Sequence, residues 1–357
     1  MYIGAILTLA GRPGESDGNG GIPRKRIGSF EATSQLLLGT PIANWDVLGK
    51  TILGRTVQRL RVLGIDHVSV IAEDTIQEEN TRQGSPVEDK NARIAFWSTW
   101  DRVVAHYLNR GMQTLLLARL GPYLELDIAD LLRFHRESPQ QLTQVYRNEN
   151  ALDLVVVDAA QLRQGAGSIR ARLSALLPNR RRYAFTGYFN PLTDARDFRR
   201  LVRESLLGRC AIRPVGEERA PSLWIGEGAR VERSAKIFPP AFVGQSSCIG
   251  ASCTIAGASA IERDCEIDCG TIVEESCIFP ATYVGMGLSV RQSLVGPGRM
   301  FHLGRDVEVE MRDPRLIGSI RGTHQLARAA RAMGSVLSTR TSQMASLIMP
   351  RRFGQWG

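Results

Sequence analysis

Apolar positions follow two different rhythms along the chain. From Ile225 they recur every six residues, at Val231, Ile237, Val243, Ile249, Ile255, Ile261, Ile267 and Val273. After a slip of one residue the series resumes at Ile278, Val284 and Val290. Two residues before each of these from Val231 to Val284 stands a small residue: Ala229, Ala235, Ala241, Ser247, Cys253, Ser259, Cys265, Thr271, Ser276 and Thr282. Glycine follows several of the apolar positions, as at Gly226, Gly244, Gly250 and Gly285. Six matches neither the 3.6-residue period of a helix nor the alternation of a plain strand. It suits a three-sided prism with one hexapeptide per side, the Ile or Val pointing inward and the small residue sitting at a tight corner. Each coil completes its backbone hydrogen bonds on the next, so several coils are required. Residues 224 to about 295 allow roughly four coils of about 18 residues.

The first 210 residues alternate differently. Strand-like runs at Ile3 to Leu9, Val68 to Ala72, Leu115 to Ala118, Leu154 to Val157 and Tyr183 to Thr186 are separated by helix-like segments. The helices are expected over Ile52 to Leu63, Trp100 to Asn109, 127–137, 160–177 and 194–207. This is an α/β pattern with a largely parallel sheet. The reading divides the chain into an α/β domain at 1–210, a linker at 211–223, a coil domain at 224–320 and a basic tail at 321–357. In the tail, Leu326, Ala330, Met333 and Leu337 share one face of an expected helix.

Charge changes this picture little. The chain has 357 residues, is 43% hydrophobic and carries a formal +9. Seven arginines after Asp313 (Arg315, Arg321, Arg328, Arg331, Arg340, Arg351 and Arg352) account for most of the excess. No basic helix is interleaved with aromatics, so no nucleic-acid partner is expected. The tail is read as packing on the coil domain or in an oligomer, with anionic lipid as the alternative. No apolar run is long enough to span a bilayer, and the start lacks the basic region of a signal peptide. A cytoplasmic protein with reduced thiols is expected. Five of its six cysteines fall within the repeat, at corners or between inward positions, without zinc-ribbon spacing.

The repeat resembles the hexapeptide, left-handed β-helix family. The stretch "VLGKTILGRTVQRLRVLGIDHVSVIAED" (47–74) resembles the sugar-1-phosphate nucleotidyltransferases, or nucleoside-diphosphate-sugar pyrophosphorylases. So do "LELDIADLLRFHRES" (124–138) and "GYFNPLTDARDFRRLVRESLLG" (187–208). "TYVGMGLSVRQSLVGPG" and "LGRDVEVEMRDPRLIGS" look like the end of the β-helix in members from polysaccharide gene clusters. The resemblance covers most of residues 1–320, including the domain order. It implies a Rossmann-like, GT-A type domain followed by a left-handed parallel β-helix. The implied reaction is attack of a sugar-1-phosphate on the α-phosphorus of a nucleoside triphosphate, with Mg²⁺ held by two aspartates.

The family's chemistry is not spelled here. Its first metal-binding Asp falls on Gly121, beside Arg119, and its second falls on Pro191. Its phosphate-loop signature is replaced by "AGRPGESDGNGGIPRKR", in which Gly11, Gly14, Arg24, Lys25 and Arg26 are the candidates for phosphate. The Lys-Pro before the turn becomes Thr40-Pro41, while Lys50 keeps a turn-shaping position. Where the family has a sugar-contacting lobe, only "SPQQLTQVYRNENA" (138–151) stands, so that lobe reads as truncated. No metal site is expected, and Mg²⁺ enters only if the enzyme is active.

The leading expectation is therefore a catalytically impaired homologue in sugar-nucleotide metabolism, of a polysaccharide or cell-envelope pathway. It would regulate or scaffold, as a homo-oligomer or with an active paralogue, or bind a nucleotide sugar. One alternative is an active, divergent enzyme for a sugar such as mannose- or glucose-1-phosphate, using Glu125, Asp127 or Asp46 as substitute ligands. Glu125 and Asp127 also read as first-turn acids that favour a helix N-terminus. The other alternative is a hexapeptide acyltransferase with His302 as its base.

Overall fold

The computed structural model of the protein describes residues 2–9, 36–72, 86–137, 139–163 and 167–320. The chain forms two compact units, Met1–Trp224 and Ile225–Gly357. The segment expected as a linker, 211–223, thus belongs to the first unit.

In chain order, the first unit contains β1 (Ile3–Leu9), α1 (Ile52–Val62), β2 (His67–Ala72), α2 (Pro86–Asn109), β3 (Thr114–Leu120) and β4 (Tyr123–Leu124). It continues through α3 (Ile128–Arg136), β5 (Leu142–Arg147), β6 (Asn150–Asp158), α4 (Ala159–Arg163) and α5 (Ile169–Leu176). It closes with β7 (Arg181–Ala184), β8 (Phe189–Asn190) and α6 (Ala195–Leu206), before a further strand at Glu217–Ala220. Six strands form one sheet in the order β2-β1-β3-β6-β5-β7. Only β6 runs against the others.

Alternation along the strands separates two cores. On one face, Ala5, Leu7, Leu116, Ala118, Leu154 and Val156 pack with Leu60 of α1 and Ile128, Leu131 and Leu132 of α3. On the other, Ile6, Leu115, Leu117, Val155 and Val157 pack with Trp100 and Val104 of α2 and Leu173 of α5. The strand expected over Tyr183 to Thr186 runs instead over Arg181–Ala184, and two of the helices differ from expectation. Helix α2 starts well before Trp100, and the helix expected over 160–177 is two helices, the second capped by Ser168, whose side chain accepts from Ala171 N–H.

The stretch 139–151 is also more structured than expected. Leu142–Arg147 is a nearly buried strand that hairpins onto β6 through Asn148, whose φ is +53°. His135 of α3 lies against this strand, with Nδ1 at 2.8 Å from Thr143 Oγ1 and Nε2 at 3.3 Å from Asp158 Oδ1.

The second unit carries three stacks of short parallel strands. Successive hexapeptides visit the three sheets in rotation, an arrangement compatible with a β-helix. The register matches the repeat: Ile249 pairs with Ile267, Ile255 with Val273, and Val243 with Ile261. The slip after Val273 sets Ile261 beside Ile278 and Ile267 beside Val284. Past Val290 the strand Ser293–Gly296 still stacks parallel on Cys277–Ile278, and antiparallel strands at Arg299–His302 and Val307–Glu310 follow it.

The corners do more than save space. Ser247 Oγ donates to Glu262 O at 2.7 Å and accepts from Cys265 N–H at 2.9 Å. Thr271 does the same with Gly285 O (2.6 Å) and Leu288 N–H (3.2 Å). These hydroxyls satisfy backbone groups that a buried turn would otherwise leave unpaired. Cys253 and Cys265 donate to Asp268 O and Phe279 O, each at 3.0 Å. Burial pushes both thiols up, so they stay protonated. One residue earlier, Ser246, Ser252, Ala258, Asp264, Glu275 and Ala281 adopt left-handed φ values of +49° to +58°.

Candidate functional site

Strand β3 lies in the middle of the sheet and ends at Leu120. Open α/β sheets bind ligands at such strand ends. The chain then passes Gly121 and Pro122 and enters β4, which pairs antiparallel with β8: Tyr123 with Asn190 and Leu124 with Phe189. Glu125 N–H extends the pairing to Tyr188 O at 3.0 Å. Continued by one step the other way, the register sets Pro122 opposite Pro191, beside Gly121. Proline has no N–H to donate, which accounts for a ladder only two residues long. The two positions read as lost metal ligands lie just beyond the same end of this short ladder, two residues before Tyr123 and one after Asn190.

Neither offers a ligand. Gly121 has no side chain, although a Cβ there would meet nothing within 4 Å. Pro191 has no donor atom beyond its carbonyl. The nearby acids have other work. Asp127 caps α3, accepting from Asp130 N–H at 3.0 Å. Glu125 accepts from Tyr123 Oη at 3.1 Å and from Ala211 N–H, tying the end of the first unit to β4. Asp194 caps α6, accepting from Asp197 N–H at 2.7 Å. Asp197 accepts from Thr193 N–H at 2.9 Å and from Arg200 Nη2 at 2.7 Å. Asn190, fully buried, donates to Asp197 O at 2.9 Å and accepts from Leu192 N–H at 3.0 Å.

Arg119 donates to Asp153 Oδ2 at 2.8 Å across the β3–β6 pair. Burial raises the Asp153 carboxyl above the usual range, with Arg119 opposing that shift. The hydroxyls of Tyr123 and Tyr188 are pushed up first by burial, then by the carboxylates they bond, Glu125 and Glu204. Both tyrosines therefore stay neutral donors at physiological pH.

The remaining sequence candidates are scattered. Lys50 donates to Gln58 Oε1 at 2.6 Å, on the turn before α1. Asp46 is buried in that same turn, bridged to Thr51. His302 is in the second unit, beyond the coils, where Nδ1 accepts from Arg305 N–H at 3.2 Å. Gly11, Gly14, Arg24, Lys25 and Arg26 lie outside the described residues, as does the tail from 321.

Sequence reasoning missed two arginines that frame the site. Arg59 donates from Nη1 to Leu124 O at 3.2 Å and from Nη2 to Leu126 O, holding the strand after Gly121 against α1. Arg55 donates to Val47 O at 2.7 Å, Leu48 O at 3.1 Å and Arg213 O at 3.0 Å. Their only local signal is a four-residue spacing on one helix face.

Mg²⁺ needs several convergent oxygen donors. Among the described residues no group of three His, Cys, Asp or Glu side chains stands close enough to hold a metal. The donor set present at Gly121 and Pro191 does not fit the ion that the family resemblance implies. Comparison of the chain with protein-family models and with curated proteins gives no match. No helix among the described residues is long and apolar enough to cross a membrane.

Proposed function

We propose that the protein is a degenerate homologue of the sugar-1-phosphate nucleotidyltransferases. In this reading the first unit keeps a GT-A type scaffold and the second is a left-handed β-helix. Its role is regulatory or scaffolding within cytoplasmic sugar-nucleotide metabolism, in a homo-oligomer or beside an active paralogue. The observation that carries this reading is the β4–β8 ladder. Gly121 and Pro191, two positions matched separately to metal ligands by the family resemblance, both fall just beyond its Tyr123–Asn190 end. Two unrelated misalignments would have no reason to fall at the same end of one ladder. The engagement of Glu125 and Asp127 in backbone hydrogen bonds supports the same reading, since a substitute metal site would have to release them.

The test is magnesium-dependent pyrophosphate release by the pure protein from a panel of nucleoside triphosphates and sugar-1-phosphates. The expected outcome is no turnover above a no-enzyme control. Sustained turnover that Glu125→Ala or Asp127→Ala abolishes would replace this reading with that of a divergent enzyme.

A further inference from the structure

Strand β7 forms one edge of the six-stranded sheet. Phe185 N–H donates to Tyr146 O at 2.7 Å, and backbone groups alternate in direction along a strand. The N–H and C=O of Arg182 and of Ala184 therefore turn away from β5, toward the open side. Both residues are exposed, and among the described residues no backbone group pairs with either on that side. The strand contains no proline, and its pairing with β5 runs without a bulge.

The charge beside this edge has one sign. From Ala159 to Thr193 the sequence has six arginines and no acidic residue. Arg180, Arg181 and Arg182 meet at the start of β7, where Arg181 and Arg182 point to opposite faces of the sheet. Arg147 ends the neighbouring strand β5. Arg180 donates to Tyr146 Oη and to Leu177 O, each at 2.6 Å. Arg181 donates to Phe134 O at 2.9 Å and lies 3.6 Å from the centroid of that ring. Arg147 lies 4.4 Å from the centroid of Phe189. Carbonyls, hydroxyls and rings orient a guanidinium without neutralising it. Among the described residues only Glu149 forms an ion pair with one of the four, with Arg182 at 2.8 Å. The Glu149 side chain is 90% exposed, so this pair exchanges readily with a competing carboxylate.

We infer that the β7 edge receives an extended, acidic segment of a partner protein, added as a further strand of the sheet. Backbone pairing supplies affinity in this mode, and the arginines supply the preference for carboxylates. A second copy of the same edge would set arginines against arginines. Single-stranded nucleic acid would call for rings on which its bases stack, and none of Tyr146, Phe134 and Phe189 is exposed. The inference uses neither Gly121 nor Pro191 and stands apart from the nucleotidyltransferase reading.

The experiment measures fluorescence anisotropy of a fluorescein-labelled peptide, Glu alternating with Thr and Val, titrated with the full-length protein. Saturable binding that weakens as salt is raised is expected. A control peptide with proline at each Thr and Val keeps the charge but loses the N–H groups of one edge, and should bind at least about tenfold more weakly. Ala184→Pro removes the outward N–H of β7 and none of its bonds to β5, and is expected to abolish binding. Arg182→Glu, at an exposed position, should weaken binding at least about tenfold and decides the matter if Ala184→Pro loses its folded circular dichroism spectrum. Absence of saturable binding, equal binding of the proline peptide, tighter binding of a single-stranded oligonucleotide, or unchanged affinity in a folded variant would each overturn the inference.

Discussion

Gly244 in the coils and Gly121 at the end of β3 are both small residues at positions where the chain turns, for opposite reasons. At Gly244 a Cβ would lie 2.5 Å from the backbone carbon of Glu262 in the next coil. At Gly121 the same atom would meet nothing within 4 Å, and neither glycine needs a left-handed backbone. Packing therefore demands glycine at the first position and leaves the second open. An aspartate would fit at 121. Its absence reflects the chemistry of this chain rather than any steric need of the fold.

That contrast can be tested by substitution. Gly244→Ala should be the most damaging, because the clash is with backbone that two coils share. A loss of about 3 kcal/mol, or failure to fold, is expected in urea unfolding. A loss below about 1 kcal/mol would mean that the coils are looser than described. Glu125→Ala should cost about 1–2 kcal/mol, since the Tyr123 hydroxyl and the Ala211 N–H both lose their acceptor. If Glu125 were instead a metal ligand, its removal would spare stability and change only the response to Mg²⁺. Asp127→Ala should cost about 1 kcal/mol through loss of the α3 cap, with Asp127→Asn recovering most of it. Gly121→Ala and Gly121→Asp should be the mildest, within about 0.5 kcal/mol of the parent by the same measurement. A large destabilisation there would show that Gly121 is structural after all.

The coils were legible because each position in the repeat has one recurring job. Val243, Ile255 and Ile267 point inward in every turn, so periodicity alone locates them. The capping role of Asp127 was legible too, being settled within three residues of chain. What escaped depends on partners far away. The strand Leu142–Arg147 mixes Thr, Gln and Arg with its apolar residues and is buried by pairing with both β6 and β7. The β4–β8 ladder joins residues more than sixty apart through two pairs, with no periodicity to announce it. Arg59 reaches Leu124 O across a similar separation. The division of labour at Glu125 was left open by the sequence and became readable only with Ala211 in place.

The coil that closes between Ile261 and Ile278 is one residue shorter than the coil before it, and the coil from Ile278 to Val295 is equally short, yet Val273 still stacks on Val290 and Ile267 on Val284. The shortenings fall at corners, where Glu275 and Gln292 take the left-handed turn that Gly270 and Ala281 take elsewhere. Corners in this unit thus work as expansion joints. A single-residue deletion there is absorbed without shifting any face, whereas the same deletion within a strand would exchange inward and outward positions along the rest of the coil. Length variation among chains built this way should therefore gather at the corners, and a difference of one residue says nothing about the number of coils.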